Sequence, residues 1–293
     1  MRIFITGITG YIGASLARSL LSKGHEIFGL ARMPLHDEYV QDIYGKIRLF
    51  SYDGTYESMY AAIKQSSPDL VYHLATHYTG THNGEVLPIM LNANITMGAY
   101  LLEAMAQTEP RNLIYASSVM EYYGGKKYCP LNLYAATKHA FYDLMQYYVD
   151  AGHLHTGVLV LSDTYGPGDH RPKILNIIKQ YMGTDKPIEL SDGQQDYAAV
   201  YIDDVIRAFE MAGQQLYEGA WKHKIFQVLP EKIYTLRETV DKLLQIHRTT
   251  LNAQWGKRPS PVRDMRKAIN LYPPVPNWYP EVPLEMGLEK FLT

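Results

Sequence analysis

The sequence predicts an α/β fold, a doubly wound parallel sheet followed by a small irregular lobe, and three observations predict it. The first is an alternation of apolar strand-like runs with helix-period segments through the first two thirds of the chain. The second is the opening stretch Ile3-Phe-Ile-Thr-Gly-Ile-Thr-Gly-Tyr-Ile-Gly13, a β-rich run, then glycines at 7, 10 and 13, then a helical pattern. The third is a change of character late in the chain: nine of the sixteen prolines fall at or after Pro187, which breaks regular structure there into short pieces.

Taken in order, strands are expected at 2–6, 26–30, 47–50, 70–74, 112–116 and 157–162. Helices are expected near 12–22, 55–65, 91–107 and 134–150. Beyond them come a helical stretch at 171–182, the segment 200–212, a short strand at 224–228 and a helix at 236–245. The division that follows is a nucleotide-binding domain over residues 1–165 and a mainly substrate-binding lobe over 166–293, the two interleaved. There is no internal repeat.

Composition removes several classes of function. The 28 basic and 30 acidic residues nearly balance, so neither nucleic acid nor an anionic membrane is an expected partner. Cys129 is the single cysteine, which excludes internal disulfides and a cysteine zinc cluster and suits a reducing compartment. No apolar run reaches the length of a membrane span and the N-terminus is strand-like from residue 2, so a cytoplasmic protein is expected. No histidine pair has metal-ligand spacing with a carboxylate, and neither a metal nor a catalytic histidine is expected. His77 and His82, flanking Tyr78, are placed to hydrogen-bond a sugar.

The glycine run carries chemistry. At a strand-to-helix turn, glycine lets the backbone approach a pyrophosphate, and the helix start supplies free N–H donors and the positive end of its dipole. This assigns Gly7, Thr9, Gly10, Tyr11, Ile12 and Gly13 to a dinucleotide. In such Rossmann-type folds the end of the second strand faces the adenosine ribose. An acidic residue there suits NAD, whereas Ala31-Arg32 offers a guanidinium to a 2′-phosphate and favours NADP. A solvated Arg32 beside an open ribose pocket would still permit NAD.

The second chemical signal is Tyr134-Ala-Ala-Thr-Lys138. Residues four apart on a helix share a face, so phenol and ammonium point into one space. A free phenol titrates near pH ~10. A neighbouring lysine charge lowers that value and lets the tyrosine exchange a proton with a carbonyl oxygen while a cofactor exchanges hydride. Upstream, Ser117-Ser118-Val119-Met120-Glu121-Tyr122 follows the fifth expected strand, sixteen residues from Ser118 to Tyr134, so the intervening loop is short.

Together these motifs resemble the extended short-chain dehydrogenase/reductases, the sugar-nucleotide epimerase/dehydratase group. The resemblance continues in Tyr165-Gly-Pro-Gly168, in Val200-Tyr-Ile-Asp-Asp-Val205 and in the closing Pro283–Leu288. It implies Ser118 as the hydroxyl on the reacting oxygen, Tyr134 as proton donor and Lys138 on the nicotinamide ribose. It implies Asp53 and Gly54 beside the adenine, Leu74 and Ala75 along the cofactor, and Asn94 at the start of a helix beside the active site. Thr76, Met120, Asp163, Arg171, Lys173 and Arg258 fall to the substrate. A homodimer through the helices at 91–107 and 134–150 is implied as well, with Tyr142, Tyr147 and Tyr148 on the shared face.

Three departures sharpen the resemblance. Dehydratases of the group carry Thr-Asp-Glu where this chain has Ser118-Val119-Met120, so dehydration is disfavoured. Asp163 stands where an asparagine is usual, and the arginine of an Arg-Asp-Phe segment is missing near Tyr197. A diphosphate would need Arg171, Lys173, Lys257 or Arg258. The stretch 163–173 and Trp255-Gly-Lys-Arg-Pro259 look most like the CDP-abequose and CDP-paratose synthase type of 4-ketoreductase. The expected activity is therefore NADPH-dependent reduction of the 4-keto group of a CDP- or dTDP-linked deoxysugar. The alternatives are an NAD-dependent nucleotide-sugar epimerase and a non-enzymatic cofactor-sensing regulator.

Overall fold

A computed structural model describes residues 1–32 and 38–292. The first half runs β1 (Arg2–Thr6), α1 (Tyr11–Ser22), β2 (Glu26–Arg32), β3 (Arg48–Tyr52), α2 (Tyr56–Ser66), β4 (Leu70–His73), α3 (Val86–Leu91), α4 (Met97–Ala106), β5 (Asn112–Ser118) and α5 (Leu133–Asp150). Then follow β6 (His155–Leu161), β7 (Asp163–Tyr165), α6 (Ile174–Lys179), β8 (Ile188–Leu190), β9 (Asp196–Tyr197), β10 (Ala199–Tyr201), α7 (Ile202–Tyr217) and β11 (His223–Val228). The chain closes with β12 (Tyr234–Thr235), α8 (Leu236–Ile246), β13 (Ala253–Trp255) and α9 (Leu284–Lys290).

Seven strands form one parallel sheet in the order β11-β6-β5-β4-β1-β2-β3. Strand order reverses between β1 and β4, so a crevice opens above their C-terminal ends, where ligands bind in such sheets. The inner strands are covered on both faces, which explains why they read as apolar runs. On β1, Ile3 and Ile5 enter the core shared with α1 and α7, while Phe4 enters the opposite core with residues of α2, α4 and α5. This is the Rossmann-type doubly wound sheet expected from the sequence.

Local chemistry sets the helix starts. Thr55 caps α2 by accepting from the Ser58 N–H, Asn132 caps α5 by accepting from the Ala135 N–H, and Thr235 with Glu238 forms a reciprocal capping box on α8. Two expected helices differ. The expected 91–107 helix begins earlier, at Val86, and is interrupted by a π turn at Asn92–Thr96. The expected 171–182 helix shrinks to Ile174–Lys179, because Lys173 is extended at its start and Arg171 is turned toward Asp169.

The small lobe is assembled from three two-stranded pairs, β7 with β10, β8 with β13, and β9 with β12. Between these pieces the chain returns to the main layers, with α7 packing on α1 and β11 completing the sheet edge. Among the described residues no helix is long and apolar enough to cross a membrane.

The proline-rich tail is fixed by two buried polar side chains. Gln227 on β11 accepts at Oε1 from the Leu271 and Tyr272 N–H groups. Asp204 on α7 accepts from the N–H groups of Glu281 and Val282 at 2.9 Å each and from Arg207 at 2.8 Å. Asp204→Ala leaves two N–H donors without their acceptor, and a loss of about 2–4 kcal/mol is expected. Urea denaturation should read that loss, and limited proteolysis should cut first within 275–292. An unchanged midpoint would refute the anchoring role.

Candidate active site

The glycine turn between β1 and α1 is shaped by contact distances. Gly7 has φ +72°, and a Cβ there would lie 2.7 Å from the Ala75 nitrogen. A Cβ on Gly13 would lie 2.1 Å from the Gly7 carbonyl oxygen, so α1 packs directly on the turn. A Cβ on Gly10 would meet only the Gly7 oxygen, at 3.3 Å. Two of the three glycines are thus required by the fold, and Gly10 keeps the turn open to the crevice. No side chain caps α1 and its first turn holds no acidic residue, so the N–H groups of that turn remain available to an anion.

The crevice is a cleft of about 1050 Å³. Thr9, Gly10, Tyr11, Ile12 and Gly13 line its middle with Leu74 and Ala75, which the buried Thr6 holds in place through the Ala75 N–H. Leu30, Ala31, Arg32, Tyr52, Asp53 and Gly54 line it on the β2–β3 side. Arg32 is exposed there, and no carboxylate occupies the end of β2. Asp53 has a second occupation: it accepts from the Thr55 N–H and hydroxyl, and hydrogen bonds from Thr55 and Ser58 hold its carboxyl down to about 2. Gly54 has φ +94°, a left-handed conformation that favours glycine.

On the β5 side the cleft is lined by Ser117, Ser118, Met120, Tyr134 and Lys138. A 3-10 turn at Val119–Glu121 turns the chain after β5, and the short loop beyond it is closed by a bridge between Tyr122 and Cys129 and by the Leu131 N–H donating to the Met120 carbonyl. That closure brings α5 back within sixteen residues of Ser118. Tyr134 is 9% exposed, and burial raises its phenol well above the ordinary value, with the neighbouring Thr76 side chain acting the other way. Lys138 is 3% exposed; its ammonium lies 4.4 Å from the centre of the Tyr115 ring, and burial brings it down to about 8. The expected lowering of the phenol by Lys138 is therefore corrected: desolvation is the largest influence on Tyr134 and raises it, and Lys138 is not among the groups that oppose it.

Asn94 does not line the cleft. It is buried in the π turn, where Oδ1 accepts from the Thr76 hydroxyl and the His77 N–H and Nδ2 donates to the His77 carbonyl and the Thr137 hydroxyl. Its role in this structure is to tie the loop after β4 to α5, and so to place Thr76 beside Tyr134.

Over the mouth, Arg171 and Lys173 line the cleft, but both are engaged. Arg171 makes a two-pronged pair with Asp169 at 2.8 Å and stacks over Tyr11. Lys173 pairs with Asp163 at 3.2 Å and lies over the Tyr78 ring. Asp163 reaches the site only through Lys173. Arg258, expected at the substrate, is exposed and outside the cleft, its backbone bonded to Leu190; Lys257 is likewise exposed outside the cleft. Sequence reasoning did not assign Tyr78 a role, yet its ring meets Tyr134 edge-on at 4.9 Å. Nothing in the spacing marks it, since the loop after β4 has no periodic pattern. Among the described residues no group of three or more histidines, cysteines or carboxylates could hold a metal ion.

The model of the NAD-dependent epimerase/dehydratase family matches residues 3–228. The chain belongs to that family. CDP-abequose synthase of Yersinia pseudotuberculosis is 28% identical over 263 residues, covering 88% of each chain. UDP-glucuronate 4-epimerase of Thermodesulfobacterium geofontis is 26% identical, covering 98% of this chain and 93% of its own. The solved UDP-glucose 4-epimerase of Thermus thermophilus, in complex with NAD, superposes with a TM-score of 0.84 at 22% identity, over 99% of this chain and 97% of that one. Family membership makes the chain an enzyme of the extended short-chain dehydrogenase/reductase type that binds a nucleotide cofactor.

The glycine distances separate two roles within the motif. Gly13→Ala is expected to destabilise the fold by about 1–3 kcal/mol, because a methyl group is driven into backbone. Gly10→Ala should leave the urea midpoint almost unchanged and weaken dinucleotide binding at least tenfold. Equal effects on stability from the two substitutions would contradict this geometry.

Proposed function

We propose that the enzyme reduces the 4-keto group of a nucleotide-linked deoxysugar, CDP- or dTDP-linked, with NADPH. The observation that carries this is the end of β2, where the last two residues, Ala31 and exposed Arg32, offer a guanidinium in place of an acidic side chain, the nearby Asp53 being held by Thr55. Such a site favours a 2′-phosphate over a free ribose hydroxyl. NADPH, once bound, would supply the hydride to C4. The chain's own part is to hold a proton on Tyr134 and deliver it to the C4 oxygen, which becomes the hydroxyl. Burial of Tyr134 keeps the phenol protonated, the form a donor needs. Ser118 hydrogen-bonds the same oxygen, and Lys138 holds the nicotinamide ribose.

The turn fits this cofactor, since Gly10 leaves its open side free for a pyrophosphate and the uncapped α1 offers N–H donors. Val119 and Met120 supply no acid or base for removing water, which supports reduction over dehydration. Tyr78 and Thr76 lie beside Tyr134 and are assigned to the sugar. Arg171 and Lys173 are assigned to the diphosphate, exchanging their carboxylate partners for it. Residues 166–293 then contribute mainly the substrate side of the cleft. The similarity to CDP-abequose synthase supports the substrate class, and the similarity to 4-epimerases supports a second reading, an NAD-dependent nucleotide-sugar epimerase using the same Ser118, Tyr134 and Lys138.

One experiment separates the readings: single-turnover loss of NADPH or NADH absorbance with CDP- and dTDP-linked 4-keto-6-deoxy sugars, beside fluorescence titration of both cofactors. NADPH should bind more tightly, and Arg32→Ala should remove that preference, weakening NADPH by about 1–3 kcal/mol. Tyr134→Phe should cut turnover by about two to four orders of magnitude with little change in cofactor affinity. Preference for NADH together with interconversion of UDP-sugars would replace this reading with the epimerase.

A homodimer is part of the same proposal, with a modified face. Tyr148 donates to Glu103 and Tyr142 packs inward, so of the expected stripe only Tyr147 is largely exposed. Leu144 beside it, and Leu87 and Leu91 on α3, are exposed apolar side chains suited to association. Sedimentation at micromolar concentration should give a dimer that Tyr147→Glu weakens, and a monomeric parent would overturn it.

A further inference from the structure

The 3-10 turn after β5 carries a carboxylate in fully buried surroundings. Glu121 is 0% exposed and lies behind the reactive face of the site. Its Oε1 accepts from the Ser117 hydroxyl at 2.7 Å and from the Ser118 N–H at 3.0 Å. Its Oε2 lies 3.4 Å from His139 Nδ1 in a charge contact, and among the described residues neither atom has a hydrogen-bond partner. His139 is the residue after Lys138 on α5 and is itself buried. The pair therefore bridges the two segments that supply the chemistry, the Ser118 turn and the Lys138 helix.

A carboxylate withdrawn from water is costly unless charge and hydrogen bonds compensate it. One oxygen has two donors, and the other has only the imidazole. Glu121 accordingly raises His139 above its ordinary value. The same negative charge opposes the desolvation that brings Lys138 down, and it pushes the Tyr134 phenol further up. The other groups facing His139 are Tyr122 and Tyr128, from the turn and loop after β5, and Tyr142 and Asp143 on its own helix. Asp143 stands 4.0 Å away and is largely exposed, so solvent screens it.

We propose that Glu121, with His139 as its counter-ion, is a positioning residue of this site: it fixes the Ser118 backbone and supplies the negative charge that offsets burial of the Lys138 ammonium. The inference rests on the reading in which Lys138 contacts the cofactor. It predicts that removing the charge acts on the alkaline side of cofactor binding and not merely on stability.

Glu121→Gln keeps the shape and the acceptor for the Ser118 N–H while removing the charge. NADPH and NADH affinities, read by fluorescence between pH 6 and pH 10, should fall in the parent as Lys138 loses its proton, near the value of about 8. In Glu121→Gln that fall should move to lower pH by about one unit, with kcat reduced more than KM. His139→Gln, which leaves the carboxylate unopposed, should move it to higher pH. The ring proton of His139, followed by NMR, should titrate at lower pH in Glu121→Gln than in the parent. An alkaline limb at the same pH in parent and in a folded Glu121→Gln, or an unmoved His139 titration, overturns the proposal. A parent that prefers NADH or fails to reduce a 4-keto sugar would overturn the functional reading alone, since the pH shift is measured on binding of either cofactor and the His139 titration needs no ligand.

Discussion

The contact on which the rest of the site depends is the one between the start of α1 and the carbonyl of Gly7. With only hydrogen at position 13, the helix sits against the turn, and its axis is aimed at the crevice. The same turn touches Ala75 through Gly7, so the loop after β4 is set by the loop after β1. From Ala75 the chain passes to Thr76, then through Asn94 to Thr137 on α5, the helix that carries Tyr134 and Lys138. The uncapped amides at the start of α1 and the helix carrying Tyr134 and Lys138 are thus linked through a few short contacts between elements distant in sequence.

Burial sets the electrostatics of this cleft more than pairing does. Lys138 is depressed, and Tyr134 raised, chiefly because both are removed from water. Positive groups nearer the surface are differently arranged, since Arg171 and Lys173 face the cleft already matched to Asp169 and Asp163. A ligand carrying phosphates would meet cations held in place by carboxylates, and exchange of partners rather than simple attraction would govern its entry.

The fold was legible in the chain wherever a short segment states its own requirement. Glycines at 7, 10 and 13, the apolar runs of the inner strands and the Tyr134–Lys138 spacing each carry their geometry locally. Asn94 was legible as a residue near the site and illegible in its role, because its four hydrogen bonds join three separate segments. The position of Arg258 depended on how a proline-rich tail crosses the lobe, which no periodicity encodes. Gly54, expected beside the adenine, also meets a backbone requirement at positive φ. Glu121 gave no sign of its partner, since the return of α5 over the turn after β5 is a tertiary event.

The last sheet strand has a consequence for how the chain acquires its shape. Val158 on β6 faces Ile225 on β11, so one edge of the sheet is covered only by residues made long after the rest of it. During synthesis the nascent chain therefore holds an apolar strand with one row of unpaired amides and carbonyls, a template for association with other chains. The intervening segment must pass out through the lobe and back before that edge is sealed, a closure that raises contact order and slows the final step. A fragment ending before β11 would leave this edge permanently bare, so the nucleotide-binding layer cannot be separated as a module from the region that follows it.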